Sequence, residues 1–220
     1  MRIEVAGDEL VLCRERAIHW PARATLLVAD AHFGKAATFR ARGVPVPEAT
    51  TAANLAALDR LIERHALKRI VFLGDFLHAR EARNRATQGA LAAWRERHAA
   101  LKLILVAGNH DHHAGDPSAG LRIERVEEPL VDGPFALCHH PQASSAGYVL
   151  AGHLHPAYRL SGKRDALRLP CFWLGPNTGV LPAFGDFTGG HAITPAPGDR
   201  LFVTTPGAVH EVPIARVPAF

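Results

Sequence analysis

Three short stretches of this chain are apolar at every position: Leu26–Ala29, Ile70–Leu73 and Leu103–Val106. A strand that is apolar on both faces must be covered on both faces, so these runs predict central strands of a sheet lying between other layers. The segments between them carry helical spacing. Leu55, Leu58 and Ile62 recur within Glu48–His65, with Pro47 as a start signal, and Leu91, Trp94, His98 and Leu101 mark a second amphipathic helix. Strand, helix, strand, helix, strand implies parallel pairing with right-handed crossovers. A hairpin precedes this unit, Ile3–Val5 and Leu10–Cys13 around a Gly7-Asp8 turn. After it the rhythm changes to strands separated by Gly/Pro turns: Phe135–Cys138, Tyr148–Ala151, Leu167–Leu174 and Leu201–Thr205. A second sheet packed on the first is therefore expected, in a layered α/β sandwich. No repeat or linker-like stretch interrupts the 220 residues, which reads as a single domain over 1–220.

Several functional classes drop out. No apolar run approaches the ~20 residues of a membrane-spanning helix, and the first residues lack the apolar stretch of a secretory signal. Cys13, Cys138 and Cys171 are odd in number and far apart, which predicts reduced core thiols and a cytoplasmic protein rather than a disulfide framework. The net charge of +4 permits a polyanionic partner. The unusual count is His, 14 in all, and much of it gathers beside Asp, Asn and Gly.

Those clusters stand where strands end. Asp30-Ala31-His32, Gly74-Asp75 and Gly108-Asn109-His110-Asp111 follow the three apolar runs; His139-His140 and Gly152-His153-Leu154-His155 follow two later strands. In open α/β sheets, ligands bind beyond the carboxyl ends of the strands, so the clusters can converge. If these segments are extended, their period of two turns Asp30 and His32 the same way, and likewise His153 and His155, each pair pinching one ion. Two Asp, one Asn and four His exceed a single tetrahedral site and suit two ions sharing a carboxylate. A mixed N/O set without thiolate points to Mn, Fe, Zn or Co rather than Ca or Mg. Two divalent ions about 3.5–4 Å apart clamp the attacking and leaving oxygens of an in-line phosphoryl displacement and lower the pKa of a bridging water, giving a hydroxide nucleophile.

In this order, Asp-x-His, Gly-Asp, Gly-Asn-His-Asp, His and Gly-His-x-His resemble the motifs of the calcineurin-like binuclear metallophosphoesterases. That resemblance implies a layered αββα sandwich of two mixed β-sheets flanked by helices. It further implies that Asp30, His32, Asp75 and His155 hold one ion, and that Asp75, Asn109, His139 and His153 hold the other, with Asp75 as the bridge. His110 would contact the phosphate and protonate the departing oxygen, and Asp111 would orient His110. His139 is favoured over His140 as the ligand because it directly ends its strand. Many members carry an acidic residue three positions after the Gly-Asp aspartate, where this chain has His78; the expectation is that His78 lines the pocket.

A narrower resemblance runs through His19-Trp20-Pro21, Leu27–Lys35, Gly74–His78, Cys138–Pro141, Gly152–Pro156 and Leu181–Gly185. These segments are similar to the bacterial ligase-associated DNA damage response endonucleases. The resemblance implies a manganese-dependent endonuclease that cuts single-stranded DNA in repair, with a functional link to a DNA ligase, an exonuclease and a helicase, and no membrane. Lys35, Arg40, Arg42, Arg80, Arg83 and Arg85 follow the first two motifs, and Lys35, Arg40 and Arg80 in particular are candidates to guide a phosphate backbone. Phe33 and Phe76 read as packing residues and Phe184 as a candidate for stacking a base. The competing readings are a phosphodiesterase or phosphatase of small nucleotide-type substrates, which a long capping insert would favour, and a non-catalytic scaffold, which would have lost ligand positions. Neither an insert nor a lost ligand is seen.

Overall fold

The computed structural model describes the chain except residues 42, 45, 47–49, 162–165, 186–187 and 215–220, and omits the side chains of residues 41 and 112. Arg42, Pro47 and Glu48 of the sequence reading, and the His112 side chain, thus lie outside the described residues.

The first sheet has seven strands: β1 (Arg2–Val5), β2 (Asp8–Leu12), β3 (Ala17–Trp20), β4 (Thr25–Ala29), β5 (Arg69–Leu73), β6 (Lys102–Val106) and β7 (Ile123–Val126), side by side in that order. Strands β1 to β4 pair antiparallel and β4 to β7 parallel. Four α-helices lie between β4 and β7: α1 (Lys35–Ala41), α2 (Thr50–Arg64), α3 (Arg85–Arg97) and α4 (Asn109–Ala114). The second sheet holds β8 (Leu130–Asp132), β9 (Phe135–Leu137), β10 (Tyr148–Ala151), β11 (Pro156–Ser161), β12 (Ala166–Leu174), β13 (Thr178–Val180), β14 (His191–Ala192), β15 (Arg200–Thr204) and β16 (Val209–Val212). Its order is β14-β11-β12-β13-β10-β9-β8, with β15 on β12 and β16 on β15, and it too mixes parallel and antiparallel pairs. The expected architecture of two mixed sheets with helices is thus the one observed. The four α-helices among the described residues all precede the second sheet, and α2 and α3 pack on the first.

The continuous apolar runs are explained by which residue faces which layer. Leu26, Val28, Ile70, Phe72, Leu103 and Leu105 pack against Leu55, Leu58 and Leu61 of α2 and Leu91 and Trp94 of α3. The alternate residues Leu27, Ala29, Val71, Leu73, Ile104 and Val106 pack against Phe135, Leu137, Leu150, Phe172 and Phe202 of the second sheet. Each central strand therefore buries both faces, one under helices and one under strands.

Register then positions the polar clusters. Ala29 pairs with Leu73 and Leu73 with Val106, so β4, β5 and β6 stop level with one another. In the second sheet Leu137 pairs with Leu150, which levels the ends of β9 and β10. The two sheets meet at this rim: the ring of His139 lies against the Leu73 carbonyl, and the backbone of His153 against Asp30. Elements the sequence leaves unread are α1, α4, the six-residue β11 and several short strands, among them β3, β7, β8 and β13.

Candidate metal centre

Two groups of acceptors form at the rim. In one, the Nε2 atoms of His32 and His155 stand 3.3 Å apart, and Nε2 of His155 is 3.6 Å from Oδ1 of Asp30. In the other, Nε2 of His139 lies 2.8 Å from Oδ1 of Asn109 and 3.1 Å from Nδ1 of His153. The carboxylate of Asp75 lies between them. Its Oδ2 is 3.7 Å from Nε2 of His32, and its Oδ1 is 3.6 Å from Nε2 of His139.

These spacings fit shared cations. Donors each about 2.1 Å from one ion stand about 3.0 Å apart at a right angle and about 3.4 Å apart at the tetrahedral angle. The hydrogen bonds behind the rings leave lone pairs facing inward. Nδ1–H of His139 donates to the Leu73 carbonyl (3.1 Å) and Nδ1–H of His155 to the Thr188 carbonyl (3.3 Å), so each Nε2 is an acceptor aimed at other acceptors. Asp30 is completely buried, and its Oδ1 has no hydrogen-bond partner among the described residues. A buried carboxylate oxygen so placed is costly unless something positive meets it. The donor set, all imidazole and oxygen with no thiolate, suits divalent transition metals.

Electrostatics favour neutral imidazole at His32 and His153 but not at His155. Burial, with His155 and Lys35 nearby, pushes His32 down from the ordinary His value, and burial with His139 and His140 does the same to His153. Burial also works against charge on His155, but Asp30 beside it prevails and raises it.

The local backbone differs from the extended expectation. Asp30, His32, Asp75, His153 and His155 all have positive φ, between 45° and 69°. Asp30 and His32 do not point alike because of a strand period of two; they sit in left-handed turns just past the strand. His153 and His155 do not pinch one ion together, since His153 faces His139 and His155 faces His32 and Asp30. The left-handed region costs roughly 1–2 kcal/mol for a residue with a Cβ, and such strain concentrates where function requires a particular direction. Two glycines permit the crowding. A Cβ on Gly74, itself at φ +76°, would meet the His139 ring at 2.0 Å, and one on Gly152 would meet Oδ2 of Asp30 at 2.6 Å.

The remaining site residues divide. Nε2 of His110 is 4.0 Å from Oδ2 of Asp75, and its Nδ1–H donates to the His78 carbonyl at 2.7 Å. Asp111 does not orient His110 as the resemblance implies. The buried Asp111 carboxylate instead accepts the backbone N–H groups of Asp75, Phe76 and Gly108 at 2.9–3.0 Å, tying the turn after β5 to the start of α4. Those three amides take up the Asp111 carboxylate, and the orienting contact to His110 comes from the His78 carbonyl. His78 lies inside the cluster, its Nδ1 3.4 Å from that of His32, its ring stacked on His110 and on Phe39. His140 stands beside the centre: its Nδ1–H donates to Glu128 at 2.7 Å, while its ring packs on those of His139 and His153, and the three could hold an ion together.

Lys35 is half-buried near Asp30 and Asp75, and burial lowers its pKa against their pull. Arg40 donates to the Val46 carbonyl and Arg80 to the His113 carbonyl, so both are engaged with backbone at the rim. Phe33, Phe76 and Phe184 are all buried in the helix-side core, Phe184 to 2% exposure, which leaves it no open face for the expected base stacking. Residues missed from sequence include Glu128 and Thr188. Neither stands in a motif, and a contact made by a backbone carbonyl, as at Thr188 and Leu73, leaves no residue-type signal.

No helix among the described residues is long and apolar enough to cross a membrane. No family model and no curated protein matches the chain. Among solved structures, it is similar to the nuclease MPE of Pseudomonas putida, with 48% identity, a TM-score of 0.87, and a match covering 96% of this chain and 99% of that one. With that identity across nearly the whole of both chains, this chain belongs to the same family as the Pseudomonas putida nuclease MPE.

Proposed function

We propose that the chain is a single calcineurin-like metallophosphoesterase domain acting as a manganese-dependent endonuclease on single-stranded DNA, in repair alongside a ligase, an exonuclease and a helicase. The observation that carries the two-metal part is the Asp75 carboxylate, with one oxygen toward His32 and the other toward His139. Asp30, His32, Asp75 and His155 would hold one ion, and Asp75, Asn109, His139 and His153 the other. When bound, such a pair polarises a phosphodiester and supplies a hydroxide near neutral pH.

The chain's own groups do the rest. His110, fixed through Nδ1 by the His78 carbonyl, presents Nε2 toward the Asp75 side of the centre, where it protonates the departing oxygen. Asp111 holds the two motif backbones at a fixed separation. Lys35 adds positive charge beside a centre rich in carboxylate, which favours a phosphate there. The nuclease part is supported by the family relationship.

The test is cleavage of circular single-stranded DNA, duplex DNA and a small phosphodiester by manganese-loaded protein. The reading expects nicking of the single-stranded circle and little action on duplex. Hydrolysis confined to the small phosphodiester would replace it with the small-substrate reading.

A further inference from the structure

Outside every motif, one carboxylate makes an unusual set of contacts. Glu128 lies between β7 and β8, where the chain passes from the first sheet to the second. Its Oε2 accepts the backbone N–H of His139 at 2.7 Å and that of His140 at 2.9 Å, and its Oε1 accepts Nδ1–H of His140 at 2.7 Å. Three donors from two consecutive residues thus converge on one side chain. The clamped turn carries the His139 ring, completely buried, to Asn109, His153 and Asp75. The His140 ring, once drawn to Glu128, packs at 4.6 Å against both His139 and His153.

We infer that Glu128 is the positioning residue of the Asn109–His139–His153 half of the centre, seating His139 through its backbone amide and buttressing His153 through the His140 ring. It touches neither Asn109 nor Asp75 and is not itself a candidate ligand. No comparable clamp serves the other half among the described residues: His32 and His155 rest on His78 and on the Thr188 carbonyl. The effect of losing Glu128 is therefore selective for one of two ions. Partners that orient a metal-binding residue govern about 10–100-fold in metal affinity.

The inference rests on the two-ion reading above, and the experiment separates the two. Manganese(II) alone is titrated into metal-free full-length chain, counting ions per chain and their dissociation constants, with circular dichroism to follow the fold. In Glu128→Ala one of the two dissociation constants should rise about 10–100-fold while the other stays at the parent value. Glu128→Gln keeps an oxygen for the two amide donors and should restore most of the loss. Should Glu128→Ala fail to fold, Glu128→Asp, one methylene too short to span all three donors, should show the same selective weakening. Parental affinity for both ions in the folded variants, or equal weakening of both, overturns the positioning role and leaves the two-ion reading standing. A parent chain that takes up fewer than two ions overturns that reading and this role together.

Discussion

The two halves of the proposed centre are built by different means. In the half around Asp30, His32 and His155, all three residues have positive φ, so the direction of each side chain is set by a turn of the main chain. In the half around Asn109, His139 and His153, only His153 does; Asn109 opens α4, and His139 is aimed by the Leu73 carbonyl and by Glu128. Asp75 belongs to both. The contrast teaches that two ions which look alike chemically should fail to different insults. One half is vulnerable to anything that disturbs backbone shape, the other to loss of a hydrogen-bonding side chain.

The largest effect should come from the shared residue. Asp75→Ala should reduce phosphodiester hydrolysis to background and weaken both ions in a manganese titration; one ion retained at parental affinity would show that the halves do not share it. Next is His110→Asn. Turnover should fall about 10²–10⁴-fold, the usual worth of a positioned proton donor, with two ions still counted by metal analysis; a lost ion would make His110 a ligand and redraw the halves. Smaller again is Gly152→Ala, whose Cβ would sit 2.6 Å from Oδ2 of Asp30 and 2.9 Å from the Ala29 Cβ. Overpacking of this kind costs about 1–3 kcal/mol in chemical denaturation, and the ion beside Asp30 should weaken more than the ion beside His139. Equal weakening would erase the proposed asymmetry. The smallest change belongs to Lys35→Ala, which should raise the concentration of single-stranded DNA needed for half-maximal cleavage and flatten its salt dependence without altering metal content.

Legibility in the sequence followed the physics of burial. Strands β4, β5 and β6 were readable because a strand covered on both faces is apolar without interruption, and the expected boundaries match to a residue or so. Strands β8 and β13 span three residues each, too few to show a period. Helix α4 was hidden because its sequence, Asn109–Ala114, is chosen for chemistry and carries almost no apolar stripe. Within the site, residue type announced Asp30, His32, Asp75, His139, His153 and His155 as a group. What it did not announce was conformation and partnership. Left-handed Asp and His residues look like any others in sequence, and so the extended geometry expected for Asp30–His32 and His153–His155 was incorrect. Asp111 stands in a motif that suggests a side-chain partner, His110, whereas its partners are three backbone amides. Glu128 is eleven residues from His139, with nothing in its surroundings to single it out.

The central claim is that one carboxylate joins two ion sites of unlike construction. It is tested most directly by anomalous diffraction from crystals grown or soaked with manganese. The account predicts two peaks flanking the Asp75 carboxylate, one bounded by Asp30, His32 and His155 and the other by Asn109, His139 and His153. A single peak, or two peaks of which only one contacts Asp75, would contradict it.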